Sequence, residues 1–325
     1  LEAGGRGGEA SDGGHGGIAM LRSVMLRSVV AFACLAPAVA YAEPSKAWTV
    51  AKENLPANTA IAVSIDVTTL AKTKLAAQIV PLLLATKPGF KDGVELFQSE
   101  CKLAPIDAID SIAIGMDAQQ QEGVAFIALK RLNRDKLTTC MQAVMKSMIG
   151  VAPTVKVDGN ITEVGFDKGM LNLGWIGNDV VVVSLKVDDK AKLRAWIGNK
   201  GGFAKSEAAK ILPKVNTTAT AWALSTASKA LDAQTTIKVG WASAVYASGK
   251  FGVEFHAMMD DATQATAMAT KLTEQLAKVP TGLAGQSLTD AIKSTKIAAS
   301  GPELTVKTSV AETDLSTVLM MLATM

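Results

Sequence analysis

The chain has 325 residues, a formal net charge of +3, 49% apolar residues and only 5% aromatic residues. That length holds one large or two ordinary domains, with a core built mostly from Ala, Val, Leu, Ile and Met. A charge this mild and this evenly spread gives no electrostatic footprint for a nucleic-acid partner, and no run of five or six like charges forms an interaction tail.

Residues 1–42 read as processing sequence. Leu1–Gly17 is Gly-rich and opens without Met, so Met20 or Met25 is the expected start. Arg22 and Arg27 form a basic region. Val29–Val39 is a short apolar stretch broken by Pro37, and Ala40-Tyr41-Ala42 is a small-x-small cleavage site. This is the layout of a secretory signal peptide cut after Ala42. The apolar run after Arg27 is about 15 residues, short of the roughly 20 that a spanning helix needs. Lipid attachment at Cys34 is disfavoured, because Ala31-Phe32-Ala33 lacks the usual Leu three positions earlier. Cleavage leaves two cysteines, Cys101 and Cys140, and one histidine, His256. The expected location is the periplasm or the medium, with no transmembrane helix remaining.

Glu43–Asn54 is a polar, loose or helical lead-in. After the turn at Leu55-Pro56, Ala60–Asp66 alternates as a strand, and Thr68 or Thr69 caps a helix through Leu75 and Ile79 that Pro81 bends. Val94–Cys101 is a further short helix. Ser111–Met116 and Gly123–Leu129 form an antiparallel hairpin. Asn133 then caps a helix whose Leu137, Cys140, Met141, Val144, Met145 and Met148 make one apolar stripe. Asp158-Gly159 is a strong hairpin signal. The Val180–Leu185 run is apolar on both faces and reads as a central strand. Asp188 caps a helix through Leu193 and Trp196, which Gly198–Gly202 ends.

From Leu212-Pro213 the order recurs: the strand Ala219–Ser225, a hairpin of Ile237–Ala247 with Lys250–Met259, and a helix capped by Asp260 or Asp261. Its inner stripe is Ala265, Met268, Leu272, Leu276 and Val279. Pro280–Gly285 is a loop. Ser294–Ala299 and Glu303–Val310 pair around Gly301-Pro302, and Asp314 caps a last helix. Gly123-Val124, Phe126 and Ala128 match Gly252-Val253, Phe255 and Ala257 at one offset. The expected fold is α+β. It has two similar lobes, 43–211 and 212–325, related by internal duplication, each a largely antiparallel sheet with helices packed on one face.

No chemistry is named by a motif. Cys101 and Cys140 in an oxidising setting are expected to bond, and two buried free thiols are the alternative. One histidine and two cysteines at this spacing build no zinc site. A hydrolytic triad would need His256, which alternation places beside Glu254 on the solvent side of its strand. The pairs Asp188-Asp189 and Asp260-Asp261 sit where helices begin and read as caps. Gly169, Gly174, Gly177 and Gly198–Gly202 fit no phosphate-binding motif. Asn160-Ile161-Thr162 and Asn216-Thr217-Thr218 match the glycosylation pattern. The methionines, Met141 and Met268 among them, fill core, or else line an adaptable apolar pocket.

The stretches LPANTAIAVSID, CKLAPIDAIDSIAIGMD and GVAFIALKRLNRDKLTTC resemble a loose group of uncharacterised exported proteins of Gram-negative bacteria. The resemblance covers residues 55–200. It implies a periplasmic or outer-envelope location, supports pairing Cys101 with Cys140, and brings no activity or cofactor. The expectation is an exported, non-enzymatic envelope protein that binds a protein partner or an apolar ligand. The alternative is a hydrolytic enzyme using carboxylate or Ser/Lys chemistry.

Overall fold

A computed structural model describes residues 43–78, 88–166, 169–185, 189–230, 235–278 and 285–315. The signal-peptide reading, Pro81, Asp188 as a cap, Val279 and the helix after Leu315 lie outside the described residues.

The first described element is a helix, α1 (Lys46–Asn54), capped by Ser45, whose side chain accepts from Trp48 N. It is more than a lead-in. Ala47, Trp48 and Ala51 fall on one face and are fully buried, so the short apolar face is a core element. β1 (Ile61–Asp66) follows, then the short helix α2 (Val67–Leu70), capped by Asp66 rather than by a threonine. Helix α3 (Pro88–Cys101) and the turn α4 (Pro105–Ala108) lead into the hairpin of β2 (Ile109–Met116) and β3 (Gly123–Leu129). Asn133 caps α5 (Arg134–Ile149), as the sequence predicts. The meander β4 (Thr154–Asp158), β5 (Ile161–Phe166), β6 (Gly169–Ile176) and β7 (Val180–Ser184) follows. Gly159 takes the left-handed conformation at the Asp-Gly turn, φ 58°. Asp189 caps α6 (Lys190–Gly198) by accepting from Ala191 N and Lys192 N.

Residues 203–214, which carry no clear periodicity, form two 3-10 turns around α7 (Glu207–Ile211). The second half then supplies β8 (Ala221–Ser225), β9 (Lys229–Ala230), β10 (Thr236–Ala247), β11 (Lys250–Met259), α8 (Ala262–Ala277), α9 (Gly285–Ser294), β12 (Lys296–Ser300) and β13 (Glu303–Ala311). Helix α9 went unseen in the sequence. It follows a Pro- and Gly-containing stretch, and its Ala291 is buried.

The fold is α+β, with antiparallel pairing throughout. One sheet has eight strands in the order β4-β5-β6-β7-β3-β2-β1-β8, the other five in the order β12-β13-β11-β10-β9. Two four-strand units match, β6-β7-β3-β2 and β12-β13-β11-β10. Each is a hairpin, a 16-residue helix, and a later hairpin docked on the first. The first unit carries β4 and β5 in addition. Between the units lie β1 and β8, paired from Ile61↔Ser225 to Ile65↔Ala221. β8 comes from residues after 212, so this ladder crosses from one expected lobe to the other. β10 runs beside β8, where Tyr246 N donates to Thr220 Oγ1 at 3.0 Å.

Helices cover both faces of the large sheet, where one covered face was expected. The reason is visible in β7: Val180, Val181 and Val182 are all buried, so both faces are apolar and both need a cover. On one face Phe126, Val182 and Trp222 pack under α1, α6 and Phe203. On the other, Leu173, Trp175 and Val181 pack under α5. In the five-stranded sheet α8 and α9 share one face, as expected, over Ala257, Met259 and Leu304 and alongside Thr308. The apolar stripe of α5 is buried at Leu137 and Cys140 and runs out to Met148, 59% exposed, because the helix outlasts the sheet beneath it.

Trp48 is the anchor of α1. It meets Trp222 edge-to-face at 4.5 Å and Phe203 at 5.4 Å. Trp48→Ala is expected to cost about 4 kcal/mol, the range for truncating a buried aromatic, read as a lower denaturant midpoint with an unchanged slope.

Candidate functional site

Helices α8 and α9 cover one face of the five-stranded sheet; on the other, Trp241 is buried and joins Val239, Val245, Met258, Leu212 and Val215 in the main core cluster. Strand alternation sends β11's Glu254, His256 and Met258 to that side. Register then lines up Trp241, His256, Thr305 and Ala298 across β10, β11, β13 and β12, with Ser243, Glu254, Lys307 and Lys296 in the next row.

His256 does not simply face water. It lies flat on Trp241, ring centroids 4.8 Å apart and planes 5° apart, and its side chain is only 17% exposed. Its Nδ1 is 2.6 Å from Glu303 Oε1 and its Nε2 is 3.1 Å from Glu254 Oε1. Lys307 pairs with Glu254. Lys214, on the 3-10 turn before β8, stands 3.9 Å from Glu303 Oε2 and 5.2 Å over the Trp241 ring. Alternation located His256 and Glu254. Trp241, Glu303 and Lys214 were missed because they come from other segments, and only the register of the hairpins would have exposed the first two.

Each carboxylate here has a cation on it, so the cluster is a closed ion ladder. Burial alone would raise the Glu254 carboxyl. The hydrogen bonds and charges of Lys307 and His256 outweigh it and hold the group below its usual value of 4.5. A carboxylate shifted this way contributes stability that is complete above 4.5 and is lost as pH falls through its depressed folded value. Glu254→Gln is therefore expected to be roughly 1 kcal/mol less stable at pH 7. The difference should close on acidification below 4.5 in denaturant titrations.

A second ionic cluster ties the β4–β5 hairpin to α6. Lys190 reaches Asp158 at 2.6 Å and also pairs with Glu163, while Arg194 pairs with Asp158. Lys190 and Arg194 hold the Asp158 carboxyl low, and the hydrogen bonds that Lys190 donates to Asp158 and Glu163 push its ammonium up. The other carboxylate pairs are structural. Asp189 and Asp261 cap α6 and α8, and Asp260 bonds Lys238 at 2.8 Å. Hydroxyls near lysine are also engaged. Lys130 Nζ donates to Thr68 Oγ1, which donates to Asp110, while Ser111 Oγ accepts from Ala47 N and donates to Asp110. Among the described residues, no group of three His, Cys, Asp or Glu side chains converges as a metal site.

Cys101 and Cys140 stand at disulfide distance, Cα atoms 5.1 Å apart and 39 residues apart in sequence. Cys140 lies on the buried stripe of α5, and Cys101 ends α3. From Lys91 to Cys101, α3 has no fully buried side chain, and its Phe97 only borders the core. The Cys pair therefore holds the least buried helix of the first half. The oxidised protein is expected to show no alkylatable thiol by mass. Replacing both cysteines by Ser is expected to cost up to about 4 kcal/mol on the loop-closure model, with α3 losing hydrogen-exchange protection first.

Two depressions of the described surface bear on binding. A crevice beside Gly115, Asp117 and Trp196 has a volume of about 10 Å³, room for one water. A trough of about 370 Å³ opens between α8 and β12, lined by Thr266, Ala269, Thr270, Thr273 and Glu274 from the helix and Ile297–Ala299 from the strand.

No protein-family model matches this chain, and no curated protein matches it. Solved structures do. Crystal form III of TP0453 from Treponema aligns at a TM-score of 0.53 and 9% identity, covering 87% of this chain and 98% of that one. Crystal form IV aligns at 0.49 and 9% identity, covering 86% and 96%. The likeness is one of fold. Among the described residues no helix is long and apolar enough to cross a membrane.

Proposed function

We propose that this is an exported protein of the cell envelope that binds a protein partner through an open surface, without turning over a substrate. The observation that carries this reading is the trough along β12. Among the described residues no strand pairs with the outer side of β12. Its free main-chain N–H and C=O groups face a partner directly, and α8 forms a side wall. A free edge beside a helix is the arrangement by which proteins accept an added strand, with main-chain hydrogen bonds for affinity and a groove for side chains. An apolar small molecule asks for an enclosed pocket, which neither a one-water crevice nor an open trough supplies. Export is supported by the leader-like residues 1–42 and by the Cys101–Cys140 pair, which an oxidising compartment would join.

Mature protein isolated from cells is expected to begin at Glu43. A photo-reactive side chain at Thr270 is expected to give a discrete protein cross-link in the envelope fraction, whereas one at exposed Val157, on β4, gives none. Retention of the uncut chain in the cytoplasm, or turnover of ester, peptide or glycoside substrates by the purified protein, would overturn the reading.

A further inference from the structure

We infer that the strand seated on β12 is the β12 of a second copy of this chain, paired antiparallel about a two-fold axis at Ala298. This rests on the partner-binding reading above and names the partner.

The edge itself points to self-pairing. Sheet edges are normally guarded by charge, proline, a bulge or shortness. At the far side of the same sheet, β9 is two residues long and carries Lys229. On the large sheet, the edge strand β4 carries Lys156 and Asp158. In β12 the central Ile297-Ala298-Ala299 has no such guard, and both alanines are exposed. Antiparallel pairing centred on Ala298 sets Ile297 of one copy against Ala299 of the other, large against small. It sets Lys296 against Ser300, so the only charge on the strand never meets its like. On the side away from α8, Ala298 meets Ala298.

The helix geometry agrees. Paired strands lie about 4.8 Å apart. α8 packs over β12 and β13, against Ile297 and Leu304. A two-fold axis midway between the two β12 strands therefore puts α8 and its copy roughly 10 Å apart, close to the 8–10 Å of packed helices. Such an approach needs small side chains near the axis, and the α8 face on the trough is Thr266, Ala269, Thr270 and Thr273, with Glu274 one turn beyond Thr270. Thr270 and Thr273 donate their hydroxyls back to Thr266 O and Ala269 O, which turns their methyl groups outward. A lone peptide strand would satisfy the edge and leave this helical wall bare. A second copy covers both, in an isologous contact where Thr270 sits near the axis.

The test uses the mature chain, residues 43–325. Sedimentation equilibrium is expected to show a reversible monomer–dimer system. Ala298→Lys and Thr270→Arg, both at exposed positions, should weaken dimerisation at least tenfold while circular dichroism stays unchanged. Thr270→Cys is expected to form a symmetric intermolecular disulfide on mild oxidation, whereas Lys136→Cys on α5 does not. Monomer mass at every concentration would overturn the inference. So would dimerisation that both substitutions leave intact. A monomer that still cross-links another protein at Thr270 in cells sinks the second copy and leaves the partner reading standing. Absence of any cross-link together with monomer mass sinks both.

Discussion

The antiparallel ladder between β1 and β8 holds the two halves of this chain together, and the rest of the structure depends on it. Neither matching four-strand unit ends in a closed edge. Joining them through β1 and β8 places the free edges of β2 and β10 against neighbours and, among the described residues, leaves β4 and β12 as edges at the far ends. The pairing also brings Trp222 of β8 beneath Trp48 of α1, so the N-terminal helix of the first half is anchored by a residue of the second. Exposed edges are where chains associate, and the ladder decides which ones remain.

Two different solutions to covering apolar surface follow. The large sheet is apolar on both faces, so α1 and α6 seal one side and α5 the other. In the five-stranded sheet α8 and α9 cover one face, while Trp241, Val239, Val245 and Met258 on the other join the main core. That other face alternates in charge and stays partly wet, held by Glu254, Lys307, His256 and Glu303. That face looks catalytic from a list of residue types. In its geometry each carboxylate has a lysine beside it, Lys307 at Glu254 and Lys214 at Glu303. The trough at β12 is the opposite case: unremarkable residues, but an unsatisfied backbone edge beside a helix of small side chains.

Much of this was legible from local pattern. Asn133, Gly159, Asp261 and the Ser248-Gly249 turn act where capping and turn chemistry place them, since those interactions span only a few residues. The all-valine run of β7 announced a strand buried on both faces. Residues 203–214 were not legible, because their few apolar residues make no sustained stripe, and α9 is only 10 residues long. The trough was invisible in sequence, because it belongs to two elements some thirty residues apart, α8 and β12.

By itself the sequence determined the class of the fold, the caps and turns, and the repeat of hairpin and helix. All of these follow from periodicity and short-range hydrogen bonding. Only the tertiary structure decided that β8 crosses to the first sheet, that His256 is stacked on Trp241 and pinned between two glutamates, and that β12 ends its sheet with an open side. Each of these is a question of register between distant strands. A one-residue slip in register turns every side chain to the other face, and it is the packing of the assembled sheets that selects among the alternatives.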